Sequence, residues 1–342
     1  MKYLYLIVAG MCSVCCTVCS CATGTGEDIA GKIFGSKSEA PVFLSCQAVS
    51  ETEINFTFSQ PVKVVSLHFS PAITLEKVED ASTGGTGGTV RVIFSDGPGS
   101  GERLTADLLA EDSNGDTINV LVPFLTRNSR IPRMLINEIR TEYSKPKCEF
   151  IEFKTLQAGN LGALRLFIEG NYKAPMVYEF PPVEVAAGEY ITLHLRTLEE
   201  SSRDERGSSL DESGGADSSP TARDLWVPGS VKLLHKTDVM YLLDQDSRIV
   251  DSVLLSESAD PWWGKDYLAE AAELLYKGDA WKSADGKICS PADAVISGGT
   301  TVTRTICRDE TLTRNSGTAA DWYITANSSA TPGKPNNPKR YN

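Results

Sequence analysis

The chain has 342 residues, with 33 Lys and Arg against 45 Asp and Glu, a net charge of −12. Such an acidic balance excludes nucleic acid as a partner, because phosphate binding needs clustered Lys and Arg. Hydrophobic residues make up 41%. That is enough for packed cores and too much for wholesale disorder, and the length suits two domains.

The N-terminus reads MKYLYLIVAGMCSVCCTVCSCATG. Lys2 precedes an uncharged apolar run over 3–18, which is too short for a membrane-spanning helix and reads as a signal peptide over 1–20. Val18-Cys19-Ser20-Cys21 resembles a bacterial lipobox: an aliphatic residue, a variable one, a small one, then cysteine. It departs from the commonest form, which has Leu three residues before the cysteine. The resemblance makes Cys21 the lipidated first residue of the mature protein. It implies an extracytoplasmic protein of a bacterial envelope, periplasmic or surface-exposed, held by several acyl chains. Cys19 is the weaker candidate, because bulky Val18 would precede it, and ordinary signal cleavage or an uncleaved anchor are the competing readings. Of nine cysteines, Cys12, Cys15, Cys16 and Cys19 leave with the signal. Cys46, Cys148, Cys289 and Cys307 then remain in a compartment that permits disulfides. Cys289 and Cys307 bracket one insertion and are the candidate bridge, although pairing with Cys46 or Cys148 stays open.

Residues 21–40 are small, polar and Gly-rich, as a flexible tether would be. From Pro41 the pattern changes to short strands. EINFTF (53–58) places Ile54, Phe56 and Phe58 on one face. VKVVSLHF (62–69), TVRVIF (89–94), LTADLLAE (104–111) and TINVLVPF (117–124) follow. Turn chemistry separates them, with Asn114-Gly115 a hairpin signal. The pattern predicts a β-sandwich over 41–126. The stretch around Phe58-Ser59-Gln60-Pro61-Val62 is similar to bacterial immunoglobulin-like domains, which mostly act as spacers.

After a polar linker containing Pro132, a second strand-rich region spans 134–336, with a tail over 337–342. Two insertions interrupt it. Residues 198–224 are polar, acidic and poor in aromatics, and read as a mobile loop. The insertion at 258–300 carries a predicted helix, DYLAEAAELLYKG (266–278). Tyr267, Ala271 and Leu274 share one face, with Leu268, Ala272 and Leu275 beside them. Asp266 suits the N-cap, Gly278 the stop, and Glu273 pairs with Lys277.

Several motifs occur in order across this region: Ile136-Asn137-Glu138-Ile139, Glu149-Phe150-Ile151-Glu152-Phe153, Ala187-Gly188-Glu189-Tyr190, Asp321-Trp322 and Ala330-Thr331-Pro332-Gly333-Lys334-Pro335-Asn336. Together they resemble the lamin tail domain. The resemblance implies an immunoglobulin-like β-sandwich that binds or positions a partner, and it implies no activity. The expected architecture is therefore mainly β: two immunoglobulin-like sandwiches in series, the second with a helical insertion and a long acidic loop.

In a strand, side chains alternate, so Glu149 and Glu152 face opposite ways and form no simple acid pair. Glu152 could instead meet Glu138 across strands. His68, His194 and His235 belong to no HExxH or close ligand cluster, and no nucleophile elbow is present. The expectation is no cofactor and no metal. Trp262, Trp263 and Trp281 flank the predicted helix and are the candidate ligand-binding residues, since exposed tryptophans stack on sugars or anchor partners. The competing reading is that they pin the insertion to the sandwich. The sequence points first to a non-enzymatic binding, adhesion or structural module of the envelope, engaging an unknown protein or glycan. A metal-assisted hydrolase built on His194 or His235, and a glycan-binding module using the Trp-rich insertion, are the alternatives.

Overall fold

The computed structural model describes residues 40–81, 87–171, 174–312 and 315–341. The signal, Cys21 and the tether up to residue 39 lie outside them. The protein is mainly β and divides into two compact units, one up to Ser129 and one from Arg130 onward. No helix among the described residues is long and apolar enough to cross a membrane.

The first unit pairs two sheets. β1 (Phe43–Ala48), β2 (Glu53–Phe58), β5 (Gly88–Phe94) and β4 (Leu75–Ala81) form one, in the order β1-β2-β5-β4. β3 (Lys63–Ser70), β6 (Arg103–Glu111) and β7 (Thr117–Leu125) form the other, in the order β3-β6-β7. Burial alternates strictly along β2, and Ile54, Phe56 and Phe58 are fully buried as the period-two pattern requires. They meet Val90, Val92, Leu104 and Leu108 in a single core. The β6–β7 hairpin pairs Glu111 with Thr117 around a five-residue loop. Gly115 takes φ of 87°, and the Asp112 carboxylate accepts the N–H groups of Asn114 and Asp116 at 2.8 and 2.9 Å. An Asx-type turn thus closes the loop where the dipeptide signalled a turn.

The second unit is a larger sandwich. One sheet has six strands: β15 (Ala222–Trp226), β14 (Tyr190–His194), β9 (Phe150–Gln157), β8 (Arg133–Arg140), β19 (Ile306–Arg308) and β20 (Trp322–Ile324), in that spatial order. The other has five: β12 (Met176–Glu179), β11 (Arg165–Ile168), β16 (Asp238–Leu243), β17 (Ile249–Ser256) and β18 (Val295–Ile296). A two-stranded piece joins β10 (Gly159–Asn160) to β13 (Glu184–Val185). Ile139, Ile151, Phe153, Leu193, Leu166, Met240 and Val253 belong to one apolar cluster. At its edge Asp251 is fully buried but paired. It takes the Arg308 guanidinium at 2.6 Å and the Ile136 N–H at 2.7 Å.

The predicted helix forms as α1 (Asp266–Lys277) and packs on β16 and β17. Its buried stripe is Leu268, Ala271, Ala272 and Leu275, whereas Leu274 is 46% exposed. The N-cap is Lys265, without a side-chain cap, and Asp266 sits in the first turn where its charge favours the helix dipole. Gly278 closes the helix at φ of −81°, and the left-handed turn falls one residue later, at Asp279. Glu273 and Lys277 pair at 2.6 Å.

Two expectations are corrected. The stretch 198–224 is fastened to the sheet, and its last residues enter strand β15. It is the crossover between parallel strands β14 and β15, anchored by the fully buried Glu205. The Glu205 carboxylate accepts the N–H groups of Glu212, Ser213 and Asp224 at 2.8–3.0 Å. The Cys289–Cys307 bridge is not formed. Cys289 packs beside the Trp281 carbonyl at 3.7 Å, while the Cys307 sulfur faces Thr305 at 3.7 Å on the six-stranded sheet. Each thiol is satisfied within its own layer.

Candidate functional site

The outer face of the six-stranded sheet gathers the polar residues that strand alternation puts on one side. Glu138, Glu152, Thr192 and Asp224 stand in register across β8, β9, β14 and β15. Arg140, Phe150, His194 and Trp226 form the next row. All eight are buried. Glu138 and Glu152 do meet across strands, and burial raises both carboxyls above the usual range. For Glu152 the neighbouring Glu138 charge adds to the rise. Two like charges in one buried place favour keeping a proton on the pair. Thr305 and Asn137 each donate to one of them, and the C-terminal segment adds backbone donors: Thr331 N–H reaches Glu138 at 3.0 Å, and Gly333 N–H reaches Glu152 at 2.5 Å. Glu149, on the opposite side of the strand, takes Arg196 through two contacts of 2.6 Å.

In the second row, the Cys148 sulfur lies 3.9 Å from His194 Nδ1, and His194 Nε2 lies 2.8 Å from Asp224. Thiol, imidazole and carboxylate stand in the connectivity of a nucleophilic triad. Access and ionisation oppose that use. Cys148 is 3% exposed and His194 is fully buried, stacked on Trp226 at 3.8 Å. Burial pushes the thiol up to about 12, so it is protonated at neutral pH. The remaining Asp224 oxygen takes the Ser219 N–H at 2.9 Å, which ties the network to the crossover. Arg140, beside it, pairs with Asp217 and lies over the Phe150 ring at 4.7 Å.

The open site is elsewhere. A cleft of about 650 Å³ lies where the strand ends around Gly170 and Ser256 meet the segment entering α1. Trp262, Trp263 and Tyr267 line it together with Lys232, His235, Lys236, Lys265, Glu142, Glu257 and Asp260. Its volume is in the usual range for a small-ligand site. Three lysines stand against three carboxylates, so the lining has no net sign. The three candidate tryptophans separate here. Trp262 is 75% exposed. Trp263 is half-buried, and its indole N–H donates to the Cys289 carbonyl at 2.9 Å. Trp281 is 1% exposed, with its N–H on the Asp293 carbonyl at 3.0 Å, and lines no part of the cleft. Trp281 is therefore withdrawn as a ligand contact. It is the pin that fixes the insertion to the core.

Asp238 supports the cleft from beneath. Its fully buried carboxylate accepts the N–H groups of Gly170, Val239 and His235 at 2.7, 2.9 and 3.1 Å. Burial still dominates and holds its carboxyl up at about 7. A side chain at Gly170 would collide with Asp238 at 2.2 Å, so only glycine lets the two segments close. Burial and the nearby Lys232 lower His235, which is neutral at pH 7. The two histidines considered as metal ligands are thus in different settings, one under the crossover and one in the cleft wall. Among the described residues, no group of three His, Cys, Asp or Glu is placed to hold a metal ion.

Residues 132–324, more than half of the chain, match the model of a family described as the TP_1001 protein second domain. The chain belongs to that family. The whole cleft and both buried rows lie within the part matching the TP_1001 second domain, whereas Thr331 and Gly333 lie beyond it. The chain is also similar to an uncharacterised protein of Treponema pallidum (strain Nichols), 29% identical over 143 residues. That alignment covers 40% of this chain and 36% of the relative, so the chain spans about a third of the protein it matches.

Sequence reasoning singled out Trp262 and Trp263 but missed Lys232, Lys236, Tyr267 and Asp238. No local motif marks them. Only the return of the chain from β17 through α1 brings them together.

Proposed function

We propose that this protein is a lipid-anchored envelope protein whose second unit is a non-enzymatic binding module, with its ligand received in the Trp262 cleft. One observation carries the reading. Trp262 is 75% exposed at an open cleft, while Cys148, His194, Glu138 and Glu152, the groups that come nearest to a catalytic arrangement, are buried beneath their own partners. A large aromatic left in solvent beside polar groups is the common form of a binding anchor. The lipobox-like Val18–Cys21 stretch supports the anchor, and the ordered motifs similar to lamin tail domains support a binding role. The first unit then acts as a spacer between membrane and site.

Two experiments test this. Cys21→Ser should abolish acyl labelling in cells and release the protein from the membrane fraction; retention of both rejects the anchor. The mature chain should co-sediment with isolated cell envelopes, and Trp262→Ala should lose most of that binding at unchanged melting temperature. Equal sedimentation of the two proteins rejects the cleft as the binding site.

A further inference from the structure

We infer that the cleft takes a saccharide whose rings are all-equatorial pyranoses, as in β-linked glucose or N-acetylglucosamine chains. The inference deepens the binding role assigned to the cleft and rests on it. It starts from Trp262. Its indole is 75% exposed, yet the residue beside it is fixed, since Trp263 packs on the core and donates to the Cys289 carbonyl at 2.9 Å. Trp262 is thus an apolar plate carried on a held backbone. A flat aromatic face of this kind suits a ligand that is itself apolar on one face and polar at its edges. An all-equatorial pyranose is such a body. Its axial C–H bonds make the apolar face, and its hydroxyls project around the rim.

The rest of the lining matches that rim. Sugar hydroxyls both donate and accept, so they need neighbours of both kinds. Lys232 can only donate, Glu257 and Asp260 can only accept, and neutral His235 does one at each nitrogen. The balanced charge argues against the other classes. A phosphate or sulfate would meet the carboxylates of Glu257 and Asp260, and a cationic ligand would meet Lys232 and Lys236. An apolar helix would have to desolvate all of them. The cleft is also open and about 650 Å³ in volume, which leaves room for more than one ring.

The test uses the complete mature chain and defined probes: β-1,4-linked N-acetylglucosamine oligomers, β-1,4-linked glucose oligomers, α-mannan with its axial hydroxyl, a sulfated polysaccharide and inorganic phosphate. Binding is read by calorimetry and by tryptophan emission, in which Trp262 is the accessible fluorophore. The expected result is binding of one of the two all-equatorial series, with shielding of Trp262 from acrylamide. Trp262→Ala should weaken it ~10-fold or more, Trp262→Phe should recover part of it, and thermal unfolding should stay unchanged in both. Envelope binding that depends on Trp262 without retention of either series overturns the ligand class and leaves the cleft standing. Saccharide binding indifferent to Trp262 overturns the assignment of this site. Preference for mannan, the sulfated polymer or phosphate overturns the stacking argument.

Discussion

At the scale of residues, burial divides groups that look alike in the chain. Trp262 and Trp263 are adjacent, yet one is a solvent-facing plate and the other a hydrogen-bonded wedge. Local pattern cannot separate them, because the difference lies in the Cys289 carbonyl, 26 residues further on, which takes the indole of Trp263. The opposite facing of Glu149 and Glu152 was legible from strand period alone, and so was the possibility that Glu152 meets Glu138. Their partners were not, being contributed by Arg196 and by a segment some 180 residues away. Glu149→Ala should be costly, since it leaves the buried Arg196 guanidinium against Tyr143 without its carboxylate partner. A loss of about 3–5 kcal/mol is expected from chemical unfolding. Asp238 sets a pH dependence. Its folded value of about 7 lies above its ordinary 3.8, so the folded state holds the proton more tightly. The stability this gives is complete below about pH 4 and is lost as pH rises through about 7. Glu138, Glu152 and Asp251 are raised as well and act in the same direction, while the lowered His235 opposes them around its own titration. Calorimetry should therefore show the second unit melting lower at pH 8 than at pH 5. Asp238→Asn should flatten that difference even while lowering stability overall, because an amide nitrogen accepts no hydrogen bond and the N–H groups on that side lose their acceptor.

At the scale of elements, α1 and most strands followed from periodicity because their stabilising contacts repeat along the sequence. The crossover between β14 and β15 did not. Its composition is that of a solvated loop, and its order comes from contacts that no local pattern shows: Glu205 reaches three backbone N–H groups, Asp217 pairs with Arg140, and Asp224 takes the Ser219 N–H. Limited proteolysis checks this: the native protein should resist cleavage within 198–221, and Glu205→Ala should open that stretch to attack. The C-terminal strap is the other element that local pattern undervalues. Thr331 and Gly333 give their N–H groups to Glu138 and Glu152. Ending the chain at Ser329 would leave two buried carboxyls without those donors, at a cost of ~1–3 kcal/mol each. A drop in melting temperature confined to the second unit is the expected result. An unchanged transition would show the strap to be dispensable.

At the scale of the molecule, two separate apolar cores imply two cooperative transitions. The mainly β class and the sandwich type were readable from short alternating strands separated by turn residues. The cleft was not, because it is made of five separated stretches of the second unit. The strap has a bearing on synthesis. Glu138 sits in the first strand of the second unit, and its partner Thr331 follows 193 residues later. A ribosome extends a chain by roughly 5–20 residues per second, so this strand waits on the order of ten seconds or more for its last ligand. During that interval the outer face of the central sheet has a polar row uncovered. A holding factor acting on the growing chain would be needed most in that window, and least once residue 333 has emerged.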